Sequence, residues 1–156
     1  MLMRARRQNK NDAAGDVDPC CYAVYNMDRE LFIARYVHIA ATSRERRKGL
    51  LGVDRLAEGA GLWIGPCEAV HTFGMKIPID ILFLDRERRV RKLVSNLAPA
   101  RISLCLIGSS VLELASGVIA STGTQLGDQL KFESISERHE RRGADESEPA
   151  LTCPRL

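Results

Sequence analysis

The stretch Pro66-Cys67-Glu68-Ala69-Val70-His71-Thr72-Phe73-Gly74-Met75-Lys76-Ile77-Pro78-Ile79-Asp80-Ile81-Leu82-Phe83-Leu84-Asp85 decides how this chain is read. It gathers a thiol, an imidazole, a hydroxyl, a thioether and carboxylates, then runs into the most apolar segment of the sequence. Pro78 fixes its own φ and pushes Ile77 toward an extended conformation, so residues 76–78 lead into a strand and not a helix. Side chains alternate along the strand expected over 79–84. Ile79, Ile81 and Phe83 point one way; Asp80, Leu82 and Leu84 point the other. Asp80 then shares a face with leucines. If that face is buried, its carboxylate needs hydrogen-bond partners, because a lone buried charge is costly. Thr72, His71 and Lys76 are the nearest donors in sequence.

Working outward, Asp85-Arg86-Glu87-Arg88 reads as a turn and residues 89–95 as the return strand. Upstream, residues 21–25 and 31–39 read as a hairpin around the charged turn Asn26-Met27-Asp28-Arg29-Glu30. Thr42-Ser43-Arg44-Glu45 is a capping-box signature, predicting a helix that runs to about Leu51 and ends at Gly52, with Leu50 and Leu51 as its anchors. Gly59, Gly61 and Gly65 surround one short strand at Leu62-Trp63-Ile64, where Trp63 reads as a packing residue. Downstream, residues 96–103 read as a loop and 111–114 as a strand ended by Gly117. Residues 118–127 read as connecting structure, and 129–133 as a last strand after the Gly127-Asp128 turn. These elements predict an α+β domain, mostly β, compact and single over residues 21–133, with a curled or barrel-like sheet and one short capped helix. Residues 1–20 read as a disordered arm and 134–156 as a disordered charged tail, since neither carries much apolar surface.

At 156 residues the chain suits one domain. Aromatics are 5% against 45% apolar, so the core has to be aliphatic. The net charge of +3 is too mild to argue for nucleic acid. Its basic clusters (Arg44, Arg46, Arg47, Lys48 and Arg86, Arg88, Arg89, Arg91, Lys92) are interleaved with acids and lack stacking aromatics, so they read as solvated faces. No apolar run approaches the roughly 18–20 residues of a membrane span. The basic N-terminus has no apolar segment behind it, which points to the cytoplasm. Cys20, Cys21, Cys67, Cys105 and Cys153 show no repeating spacing and no C-x-x-C pair. They read as free thiols in a reducing compartment.

Cys67, His71 and Met75 recur every four residues, and thiolate, imidazole and thioether together suit a soft metal such as Cu(I). A Cys67–His71 nucleophile pair is a further alternative, as is an acid–base pair of His71 and Asp80. Against these stands a structural reading, in which Asp80 is a staple holding the 71–78 loop by its N–H groups. No serine elbow or phosphate-binding glycine loop accompanies the stretch.

Several blocks, in order, resemble a known family. They are Arg46-Arg47-Lys48-Gly49-Leu50-Leu51-Gly52, Gly59-Ala60-Gly61-Leu62, His71 through Asp85, Val111-Leu112-Glu113-Leu114-Ala115-Ser116-Gly117 and Gly127-Asp128. The chain resembles, over residues 22–133, the bacterial and archaeal domain of unknown function 192 family, also called uncharacterised protein family 0127. The resemblance implies a compact β-rich domain with a helix at the Arg46 block, and no particular activity. Many relatives carry Trp-Met-Lys-Asn-Thr where this chain has Phe73-Gly74-Met75-Lys76-Ile77. Relatives with the His-Thr-Phe-Gly-Met form are often encoded near pilus or secretion machinery.

The sequence therefore predicts a non-enzymatic binding or assembly accessory with a protein partner. Binding-pocket candidates are His71, Thr72, Met75, Lys76 and Asp80. The alternative is a small enzyme or soft-metal protein using Cys67, His71 and Asp80, with Cys67, His71 and Met75 as candidate metal ligands. Catalytic residues, cofactor and oligomeric state stay open.

Overall fold

The computed structural model describes residues 21–135. The expected arm over 1–20 and all but the first two residues of the expected tail over 134–156 lie outside them. Along the described chain run β1 (Cys21–Asn26), β2 (Leu31–Ala40), α1 (Ser43–Lys48), β3 (Ala60–Ile64), β4 (Ala69–His71), β5 (Ile79–Leu84), β6 (Val90–Leu97), β7 (Ile102–Leu104), β8 (Ser110–Ala115), α2 (Val118–Thr122) and β9 (Leu130–Ser134). The domain is α+β and mostly β, as the alternation patterns predict.

Seven strands form one sheet in the order β6-β5-β8-β3-β2-β1-β9, and β4 pairs with β7 in a separate two-stranded sheet. β2 and β3 are parallel. The large sheet curls strongly. β6 and β2 lie four strand spacings apart, about 19 Å if the sheet were flat, yet the five-residue helix α2 packs against both. At one end the terminal strands meet: Arg89 bridges Gln129, and Val90 N–H donates to the Asp128 carbonyl at 3.0 Å.

Both faces of the sheet are covered. Ile79, Ile81, Phe83 and Val111 join Leu50, Leu56, Val70 and Met75 on one face. Leu82, Leu84, Leu112 and Leu114 join Val24, Val37, Ile119 and Phe132 on the other. The alternation expected along 79–84 is therefore the one found. All six residues of β5 are buried, because β5 has β6 and β8 beside it as well as cover on both faces.

The structure departs from the sequence reading at four places. The capping box is present at Thr42 and Glu45, but α1 stops at Lys48, well short of Leu51. Gly49 breaks it by taking φ 49°, ψ −133°, a conformation that favours glycine. Leu50 is nonetheless buried as an anchor. β4 and β7 are three-residue strands, too short to carry a period of their own, so residues 102–104 read as loop. α2 has no side-chain cap of its own on Gly117. Its cap comes from Asp80, whose Oδ2 accepts from Gly117 N–H at 3.1 Å and Ile119 N–H at 2.8 Å. Oδ1 accepts from Asn96 N–H at 2.8 Å. At the chain end, β9 runs through Ser134 and Ile135 is buried, past the expected limit at 133.

The Gly127-Asp128 turn is held by a buried polar cluster. Asp128 accepts from Asn26 Nδ2 at 2.8 Å, from Arg29 Nε at 3.1 Å and from Gln125 N–H at 2.9 Å. Desolvation pushes the Asp128 carboxyl up, but these hydrogen bonds outweigh it and hold the group below its usual range.

Asp80 is fully buried, so its substitution is felt throughout the domain. Asp80→Ala would leave its three N–H donors unpaired. With each unsatisfied group costing about 1–3 kcal/mol, the expected loss of unfolding free energy is at least about 2 kcal/mol. Asp80→Asn keeps one acceptor oxygen and adds donors facing donors. It should also destabilise, by no more than the alanine variant. Urea unfolding of the three proteins checks this, and a higher melting temperature for Asp80→Asn would overturn the staple role.

Candidate functional site

Between α1 and the strands β3, β4 and β8 lies a cavity of about 60 Å³. Its lining includes Gly49, Leu50, Ile64, Cys67, His71, Met75 and Glu113. The fold builds it from separate pieces of sequence. β8 supplies Glu113, which pairs in register with Leu62 of β3 on one side and Ile81 of β5 on the other. Alternation turns Glu113 to the same face as Val111, toward α1 and the 65–75 segment. Gly61 lets β3 approach β8 closely: a Cβ there would stand 3.0 Å from the Glu113 carbonyl oxygen and 3.0 Å from Leu114.

Glu113 is the unusual group. It is 3% exposed, and its Oε2 is buried with no hydrogen-bond partner. Burial pushes its pKa up to about 7. A Cβ on Gly49 would sit 3.8 and 4.0 Å from the two carboxylate oxygens, so the glycine that ends α1 also borders the space over the carboxylate. Buried polar atoms are nearly always satisfied, and an unsatisfied one costs about 1–3 kcal/mol. Glu113 therefore weakens the fold at the place where it lines a cavity.

The thiol, imidazole and thioether of Cys67, His71 and Met75 all line this cavity, although the four-residue spacing does not come from one regular element. Cys67 is free and half-buried, and its Sγ donates to the Ala69 carbonyl at 3.1 Å. Burial pushes the thiol up. The Ala69 backbone opposes this in part, and the charges of Glu113 and Glu68 add to the rise. The thiol is thus the opposite of an activated nucleophile. His71 is exposed and its ring lies 5.7 Å from that of Phe73. Among the described residues no group of at least three His, Cys, Asp or Glu side chains is placed to hold a metal ion.

The other predicted pocket residues lie elsewhere. Thr72 is buried and structural in its contacts: Oγ1 donates to the Ala98 carbonyl at 2.7 Å and accepts from Arg101 N–H at 2.9 Å. Lys76 reaches Asp54 at 2.6 Å in an exposed ion pair. Asp80 faces Asn96 and α2 instead of the 71–78 loop, so the segment it staples differs from the one expected. Cys21 is disulfide-bonded, which corrects the free-thiol expectation at that position, while Cys67 and Cys105 are free.

Sequence reasoning missed Glu113. Its signal was a lone carboxylate between Leu112 and Leu114 in the strand expected over 111–114. What buries it is the cover supplied by α1 and the 65–75 segment.

The basic residues downstream of β5 are engaged within the fold. Arg88 lies over Trp63 and Phe132, 5.3 and 5.0 Å from the ring centres. Arg91 pairs with Asp85 at 3.9 Å, and Lys92 donates to the Leu104 carbonyl at 2.9 Å. Trp63 itself packs on Phe132, as expected of a packing residue.

A curled seven-stranded sheet, a cavity roofed by a glycine-terminated helix and a buried acid on an interior strand define a small β-rich domain. The chain belongs to the domain of unknown function 192 family (DUF192, "Uncharacterized ACR"), whose model matches residues 25–132. It is similar to a solved protein of unknown function from Novosphingobium aromaticivorans, at 26% identity and a TM-score of 0.64, covering 77% of this chain and 94% of that one. It is also similar to a Sinorhizobium meliloti protein provisionally described as a transcription regulator. There the identity is 21% and the TM-score 0.64, covering 71% of this chain and 91% of that one, a likeness of fold alone. A comparison with curated proteins finds no match. Among the described residues, no helix is long and apolar enough to cross a membrane.

Two outcomes follow from these environments. The Glu113 value of about 7 lies above its ordinary 4.5, so the native protein keeps a proton that the unfolded chain releases between those values. Its stability contribution is fully present below about pH 4.5 and is lost as pH rises through about 7, by up to about 3 kcal/mol at 1.36 kcal/mol per pKa unit. Glu113→Gln should match the native protein near pH 4 and exceed it increasingly toward pH 8 in urea unfolding. A constant gap across that range would refute the account. For Cys67, alkylation by iodoacetamide at neutral pH should run slower than that of free glutathione, read by peptide mass spectrometry. Faster reaction would restore the nucleophile.

Proposed function

We propose that this domain is a non-enzymatic binding module whose binding site is the Glu113 cavity. The observation that carries the reading is the buried Glu113 Oε2, which lines a cavity and has no hydrogen-bond donor among the described residues. A ligand that brings its own N–H or O–H would satisfy it. The enzyme and soft-metal alternatives have less support. Asp80 is committed to backbone N–H groups away from the cavity, burial keeps Cys67 a thiol, and among the described residues no three His, Cys, Asp or Glu side chains are grouped to hold a metal.

An assembly role is a second reading, in keeping with the pilus and secretion association of similar sequences. It draws on an apolar patch around the small sheet, where Phe73, Ile102, Leu104, Leu106 and Ile107 are all at least half exposed. Exposed apolar patches of this kind often mark interaction surfaces. A nucleic-acid partner has little support, given how Arg88, Arg91 and Lys92 are used.

The test is a thermal-shift comparison of the native protein and Glu113→Gln in a fractionated small-molecule extract. At least one fraction should raise the melting temperature of the native protein and leave the variant unmoved. Fractions that move neither protein, or both alike, would remove the cavity as the binding site.

A further inference from the structure

The charge pattern of the cavity narrows its ligand. Its acidic group, Glu113, is buried in the interior strand β8, and the apolar walls include Leu50, Leu51, Ile64, Val70 and Met75. An acid in that setting calls for a cationic donor, since a neutral group would leave an ionised carboxylate poorly compensated. The carbonyl end of α1 borders the same space and adds a small preference for positive charge. Yet the residues on the α1 side are basic. Arg46 is turned back on its own helix, to the Ala41 carbonyl at 3.1 Å and Ser43 Oγ at 2.9 Å. Arg47 and Lys48 line the cavity and are exposed. A simple amine would meet these two cations on entry. A molecule with an ammonium at one end and an acid at the other meets a matching charge at each.

We propose that the Glu113 cavity binds a small zwitterion, ammonium end first against Glu113, with its carboxylate or phosphate left outside against Arg47 and Lys48. The proposal rests on the binding reading above and names the ligand class for that site. Size sets the spacer. A cavity of about 10–15 Å³ already holds one water, so about 60 Å³ takes several heavy atoms, an ammonium with a short carbon chain. The acid then emerges beside the cations. A quaternary ammonium carries none of the N–H that Oε2 lacks. The other titratable groups lining the cavity, Cys67 and His71, leave this polarity unchanged, because the thiol is neutral and the imidazole lies on the exposed side.

Calorimetric titration near pH 8 with glycine, β-alanine and 4-aminobutyrate tests the proposal, with methylammonium chloride and sodium acetate as single-ended controls. At least one amino acid should bind about tenfold or more tighter than methylammonium, as expected if a second charged contact adds to the first. Glu113→Gln should lose that binding. The double variant Arg47→Gln, Lys48→Gln should bind the amino acid no better than methylammonium. Acetate binding more tightly than methylammonium would overturn the proposed polarity. Amino acids that give no saturable heat would overturn the ligand class. If an extract fraction still stabilises the native protein and spares Glu113→Gln, the cavity stays a binding site for another chemistry. If no fraction does, both readings fall together.

Discussion

The three hydrogen bonds accepted by Asp80 hold together parts of the chain that nothing local would align. Asp80 lies on β5, deep in the sheet, and a polar side chain is tolerable there because backbone N–H groups surround it. One of them belongs to Asn96, which takes a left-handed φ of 52° where the β5–β6 register shifts. The others open α2, whose Gly117 has no side chain to cap with. Through these bonds a single carboxylate positions the bulge in β6 and starts the helix. Ile119 of that helix then enters the core on the second face of the sheet. Asn96 extends the link by accepting from Ser116 Oγ at 2.8 Å.

Glu113 is the counterpart of Asp80 on the neighbouring strand, and the contrast carries the functional argument. Asp80 and Glu113 are both almost wholly buried acids on strands that pair directly, β5 and β8. Asp80 has every bond a staple needs. Glu113 has an oxygen without a donor, a raised pKa caused by desolvation, and a cavity beside it. Hydrophobic packing would tolerate a leucine at position 113 at least as well, by the general rule that buried charges seldom add net stability. An acid kept in such a place at a cost to stability fits a ligand-facing role better than a structural one.

The cavity owes its form to the way α1 ends. The capping box sets where the helix begins, and Gly49 sets where it stops. Leu50 then turns inward as an anchor, and Gly49 passes close over the Glu113 carboxylate. The basic side chains of Arg47 and Lys48 are thereby left on the rim. The Arg46-to-Gly52 block thus serves packing and charge placement at once.

By itself the sequence determined the strands at 79–84 and 111–114, the β1–β2 hairpin, the start of α1 and the packing role of Trp63. Each of these rests on periodicity, turn chemistry or capping, which act between near neighbours. The tertiary structure decided the rest. It made β4 and β7 strands by pairing them, since three residues carry no usable period. It made α2 a helix by capping it from Asp80, nearly forty residues away in sequence. It drew Cys67, His71 and Met75 to one cavity while sending Thr72, Lys76 and Asp80 to other contacts. Above all it buried Glu113. Alternation says only which face a side chain takes, and whether that face meets water depends on what the distant chain lays over it.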